Sequence, residues 1–144
     1  MRMPLISRML FTFSAIGLIV GAHVADLSPS HMFNDRWPPH ATFHTGQTLS
    51  MSLLLSLLTI CFAWRKTLDR REAVFATAGF AAAYWVTQAT AIAYPNTAFY
   101  DPEFITANSF PLGLPFQAYF DLGFLSLITL ASWLAIRESA HWAD

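Results

Sequence analysis

Histidine and carboxylate side chains are the groups best suited to moving a proton near neutral pH. The chain holds five histidines, and two of them open the run "PPHATFHTGQT". His40 and His44 lie four apart, and Gln47 follows three later. Residues at i, i+4 and i+7 share one side of a helix. Similar pairs recur along the chain: His23 with Asp26 at i, i+3, Tyr84 with Gln88 at i, i+4, and Gln117 with Asp121 at i, i+4. Each lies within or at the end of an otherwise apolar run. An Asp facing hydrocarbon costs about 2.5 kcal/mol or more, so such groups turn toward protein or a wet cavity.

A histidine beside a carboxylate in an apolar slot can exchange a proton with a bound molecule. Asp121, the deepest acid, is expected to be the acid or base, with His44 its partner and His23 and Tyr84 orienting. His40, Gln47, Gln88, Gln117 and Asp26 are expected to complete a ligand site. Plainer readings stand beside these. Asp121 could instead lock helices through His23, Tyr84 or Gln88, and His44 and the glutamines could be interhelical glue. His40 and Asp26 could be interfacial, His31 and Asp35 solvated loop residues, and His141 an idle tail residue.

Two further function classes compete. His40 and His44 resemble half of a metal-ligand pair, and His23 with His44 would suit a bis-histidine haem. The chain has no H-E-x-x-H, no paired cysteine ligand and no E-x-x-H repeated on two helices. No cofactor is named by the sequence. The third class is an accessory subunit of a larger membrane complex or a homo-oligomer. Transport is disfavoured because the polar groups do not continue along the helices.

The elements that must position these residues follow from composition. The chain has 144 residues, of which 55% are hydrophobic and 12% charged, and a mean hydropathy of +0.43. The charged share is about half that of soluble domains. The length suits a single domain, 1–144. Charges cluster, leaving four long stretches nearly free of them at about 9–27, 41–64, 73–94 and 113–136. Each approaches or exceeds the roughly 20 residues that cross a bilayer. The expectation is an all-α, integral membrane four-helix bundle, mostly antiparallel, with the short middle loop "RKTLDRRE" making the second and third helices a hairpin. The first stretch could be a cleaved leader, but His23 stands three before the "AHVA" cut and is not small, so a retained span is expected. The lone Cys61 is expected to be a small core residue and reports no redox compartment.

Arg2, Arg8, Arg65, Lys66, Arg70, Arg71 and Arg137 flank one side of these stretches, and Arg36 alone the other. The positive-inside rule then puts both termini and the middle loop in the cytoplasm. Trp64 and Trp133 fit the inner interface, and Trp37 and Tyr94 the outer one. With that orientation His23, Asp26, His44, Gln47, Tyr84, Gln88, Gln117 and Asp121 share the outer half. A polar pocket there, lined by some of the 13 Phe, 5 Trp and 4 Tyr, suits a lipophilic small molecule such as a sterol, isoprenoid or fatty compound. The expected reaction class is isomerase-like. The bilayer is the expected surrounding, and nucleic acid is not an expected partner. Gly17 and Gly21 permit a close helix approach. Pro38 and Pro39 suit a helix start. The second outer loop, with Asp101 and Glu103 its only charges, reads as a lid or an interfacial segment.

The run "HMFNDRWPPHATFHTGQTLSM" with "YWVTQATAIAYPNTAFYDPEF" resembles a family of small four-span membrane proteins of bacteria and fungi, a domain of unknown function. The resemblance covers about residues 26–104 and rests on Asp26, His31, Asn34, Trp37 to His40, Phe43, His44, Gln47, Tyr84, Trp85, Gln88, Tyr94, Asp101 and Glu103. Asp35 stands where that pattern carries Pro, and Asp121 lies outside it. The family implies the architecture and shifts weight toward His40, His44, Gln47 and Gln88. A looser likeness, by analogy alone, is to sterol-isomerase and sigma-2-receptor bundles.

Overall fold

The computed structural model describes residues 2–140, with side chains described for residues 2–137; His141 lies outside them. It is all-α. Four long helices follow in order, α1 (Leu5–Asp26), α2 (Pro39–Trp64), α3 (Arg70–Ala91) and α4 (Phe116–Ala140), and two short 3₁₀ turns, Pro102–Phe104 and Pro111–Gly113, interrupt the last connection. The helices match the four apolar stretches with shifted ends. α3 begins before the apolar run because Asp69 caps it: its Oδ1 accepts from the N–H groups of Arg71 at 2.7 Å and Glu72 at 3.2 Å, satisfying donors that have no partner inside the helix. Pro38 caps α2 and Pro39 opens it, as the fixed φ of proline favours.

α1, α2 and residues Phe116–Arg137 of α4 are long and apolar enough to cross a membrane. α3 is as long as α1, at 22 residues, but it opens on Arg70, Arg71 and Glu72 and is rich in Ala and Thr. α1 packs on α2 and α4, α3 packs on the same two, and α1 touches α3 across the diagonal. Each pair of chain neighbours is antiparallel, so the α1–α2 and α3–α4 connections share one end, here the loop end. The start of α1, the end of α4 and the α2–α3 turn share the other, the basic end, with every Lys and Arg except Arg36.

The core is built from small residues. On α2 the buried positions Thr45, Leu49, Ser52, Ser56, Thr59 and Ala63 recur at three- and four-residue steps, one face of a helix. Ser7, Ser14, Ala15, Ala22, Thr77, Ala81, Ala131 and Ala135 fill the facing seams. Large apolar side chains point out instead, among them Phe13, Val20, Val24, Leu54, Leu57, Phe75, Leu122 and Leu130. Water would drive the opposite arrangement, whereas helices in lipid gain close contact through small residues. The buried hydroxyls mostly bond within the bundle. Thr59 and Thr77 donate to carbonyls one turn back at 2.8 and 2.7 Å, and Ser56 donates across the seam to the Ala15 carbonyl at 2.9 Å.

Two expectations of detail change. Cys61 is exposed, because it falls between Thr59 and Ala63 and off the buried stripe of α2. Of the two glycines on α1, only Gly17 meets a neighbouring helix: a Cβ there would lie 2.4 Å from the Phe124 ring, while Gly21 faces open space. Phe124 also stacks on Trp85, with centroids 4.4 Å apart and planes at 8°, and on Phe13 and Phe120 at 6.4 and 6.5 Å. This aromatic layer crosses the bundle below the loop end.

At the basic end, Trp64 Nε1–H donates to Thr12 Oγ1 at 2.9 Å, and the Arg8 guanidinium lies 4.6 Å from the Trp64 ring centre. Arg137 sits similarly over Trp133 at 4.9 Å. Such cation–π contacts bind charge and apolar surface together at an interface.

Candidate functional site

A partly open groove of about 630 Å³ lies at the loop end between α2 and α3, closed on one side by the end of α1 and the α1–α2 connection. Its lining includes Asp26 from α1, His31 and Trp37 from the connection, His44, Thr45, Thr48 and Met51 from α2, and Tyr84, Thr87 and Gln88 from α3. On α2 the lining runs from Ala41 to Met51, about 15 Å along the helix, and most of the groove's lining surface is apolar.

Asp26 ends α1 with its side chain only 16% exposed. Thr48 Oγ1–H donates to its Oδ2 over a long 3.4 Å, and His31 Nε2 stands 4.0 Å from Oδ1. A carboxylate can accept about four hydrogen bonds, so Asp26 keeps acceptor capacity facing the groove. The connection holds His31 in place: its Nδ1 is 2.8 Å from Ser30 Oγ, which is itself 2.8 Å from Ser28 Oγ, and its ring meets the edge of Trp37 at 5.4 Å.

On α2, His44 reaches both the groove and the exposed face. Its Nδ1 lies 3.1 Å from Gln47 Oε1 and its Nε2 lies 3.2 Å from His40 Nε2. His40 and Gln47 are exposed and do not line the groove. On α3, Tyr84 is 7% exposed and lines the groove. Gln88, one turn further, is half-buried in the groove wall.

The structure sets the remaining expected residues elsewhere. His23 turns its Nδ1 to the Ile19 carbonyl at 2.9 Å and stands outside the groove lining. Gln117 Nε2 donates to the Phe99 carbonyl at 3.2 Å, tying α4 to the loop before it. Asp121 is 5% exposed, and its Oδ1 has no hydrogen-bond partner. It therefore does not lock helices through His23, Tyr84 or Gln88. It does not line the groove, to which α4 contributes no residue. Thus Asp26, His44, Tyr84 and Gln88 come together, whereas His23, Gln117 and Asp121 do not join them. Among the described residues no group of three or more His, Cys, Asp or Glu is arranged to hold a metal ion.

Sequence reasoning passed over His31 and Trp37 as groove residues, and over Thr45, Thr48 and Thr87. His31 had been read as a solvated loop residue; its place in the WPPH-containing run was the signal that could have raised it. The long α3–α4 connection does not cover the groove. It is tied to the α1–α2 connection by an ion pair between Arg36 and Glu103, and to the start of α4 by Tyr100 Oη, which accepts from the Phe116 N–H at 3.1 Å.

Residues 10–136 match the model of a family described as a family of unknown function (DUF6640). No curated protein and no solved structure matches the chain.

Proposed function

The chain belongs to a family of unknown function (DUF6640), and we propose that it is a four-span membrane protein that takes up a lipophilic small molecule in the α2–α3 groove. In this reading α3 is the fourth span, its small residues shielded by neighbours. The basic end, with both termini, lies in the cytoplasm, and the groove opens near the other surface.

The observation that carries the reading is the Asp26 carboxylate, mostly buried yet short of hydrogen-bond partners, facing a groove whose lining surface is largely apolar. A sterol, isoprenoid or fatty compound with a hydroxyl or amine head would donate to Asp26. Gln88 and Tyr84 would fix the head, and the tail would lie along Met51. His31, 4.0 Å from Asp26, is placed to accept or return a proton, so isomerase-like acid–base chemistry belongs to the same geometry. Asp26 and His31 thereby take the roles that the sequence suggested for Asp121 and His44.

The test is to purify the full chain in detergent and identify co-purifying small molecules by mass spectrometry. A single lipophilic species near one per chain is expected. Asp26→Asn should reduce its occupancy or affinity by about tenfold, since a hydrogen bond to a charged group contributes about 1.5–3 kcal/mol. Asp26→Asn retaining wild-type occupancy, or a wild-type protein that carries only bulk lipid, overturns the reading.

A further inference from the structure

The histidine pair that opens the α2 run is left unused by the groove chemistry, and its geometry is specific. His40 Nε2 and His44 Nε2 converge to 3.2 Å, with ring planes at 74°. We infer that these two nitrogens form a bidentate site for a divalent first-row transition-metal ion, Zn²⁺ or Cu²⁺, at the mouth of the groove.

Three observations carry this. The first is distance. With metal–nitrogen bonds of about 2.0–2.1 Å, a 3.2 Å separation subtends about 100–105° at the metal, near the tetrahedral angle of about 109°. Little ring movement is then needed, and a slight closing suits the square arrangement of Cu²⁺.

The second is orientation. Gln47 Oε1 lies 3.1 Å from His44 Nδ1. With Oε1 accepting, Nδ1 carries the proton and Nε2 presents its lone pair to the shared point. An outer hydrogen bond of this kind accompanies most metal-bound imidazoles. His40 is steadied by Phe43, whose ring lies parallel within 3° at 6.1 Å. Without metal, His40 Nε2–H donates to His44 Nε2. On binding, that proton moves to His40 Nδ1 through solvent, both rings stay neutral, and no proton is released overall.

The third is charge. Among the described residues Arg36 is the loop end's single Lys or Arg, and it is paired with Glu103, so no free Lys or Arg among them repels the ion there. Two protein ligands leave positions open for water or for a donor atom on a groove ligand, since His44 also lines the groove. The inference is independent of what the groove binds.

The experiment uses the full chain with a non-histidine affinity tag in detergent. Zn²⁺ is titrated in competition with a chromophoric chelator, and Cu²⁺ is followed by electron paramagnetic resonance. One ion per chain is expected, with a two-nitrogen hyperfine pattern from Cu²⁺. His40→Gln and His44→Gln should each reduce the pattern to one nitrogen and weaken binding by more than tenfold. Gln47→Ala should weaken it by about tenfold, the usual scale for a residue that orients a ligand. His31→Gln should leave it unchanged. Circular dichroism and monodispersity report folding of each variant. A wild-type protein lacking the two-nitrogen pattern, variants that bind as wild type does, or loss of binding on His31→Gln alone each overturn the site; the first needs no variant to fold.

Discussion

The two ends of the bundle treat polar groups differently. In the basic half, Ser56 bonds across a seam, Thr59 and Thr77 bond within their helices, and Trp64, Thr12 and Arg8 close on one another. Ser7 and Ser14 lack partners, as do the Nε atoms of Arg8 and Arg70, but the hydroxyls are neutral and both arginines are partly exposed. In the loop half the polar groups are stronger and less well served. Asp26 has one long hydrogen bond, Asp121 Oδ1 and Gln117 Oε1 are buried without partners, and a histidine pair faces outward. Satisfied polar groups stabilise a bundle, whereas unsatisfied charged ones cost stability. The buried carboxylates carry more of that cost at the loop end, the end at which we propose that a ligand binds.

Substitutions can break or sharpen this contrast. The largest effect is expected at the layer between the halves. Gly17→Leu drives a side chain into the Phe124 ring and should lower stability by about 1–3 kcal/mol, the range for overpacked cores. Thermal unfolding in detergent measures it, and Gly17→Leu with Phe124→Ala should recover part of the loss. A smaller effect of opposite sign is expected at Asp121. Asp121→Asn keeps the shape and removes a buried, unpartnered charge, so stability should rise by about 1 kcal/mol. A fall there would mean that the carboxylate is satisfied after all, and the contrast between the ends would fail. The smallest change is at the seam of the basic half. Ser56→Ala removes the bond to Ala15 and should cost about 0.6 kcal/mol, the average found for such bonds in membrane bundles. A gain on this substitution would show that the basic half is no better satisfied than the loop half.

The helices were legible because long charge-free runs announce themselves, and the Pro38–Pro39 pair marks where one of them starts; the start of α3 was not, because its Asp69 cap lies before the apolar run. Depth along each helix was equally readable, since each residue adds a fixed rise of about 1.5 Å. Rotation about the axis was not. α4 is apolar nearly all round, so nothing in its pattern says that Asp121 turns into the bundle and not toward the groove. The same ambiguity hid which side of α2 carries His40 and Gln47. Loop paths were least legible. His31 reaches Asp26 because Ser28 and Ser30 fold the chain back through short hydrogen bonds, and Arg36 meets Glu103 across 67 positions of sequence. Spacing rules for helices and strands do not reach such contacts.

The seat of Phe124 against Gly17 has a mechanical consequence. A ring lodged in the notch of the opposite rod works as a pawl: α1 and α4 cannot slide lengthwise until the ring swings clear, and its sandwich with Trp85 opposes that swing.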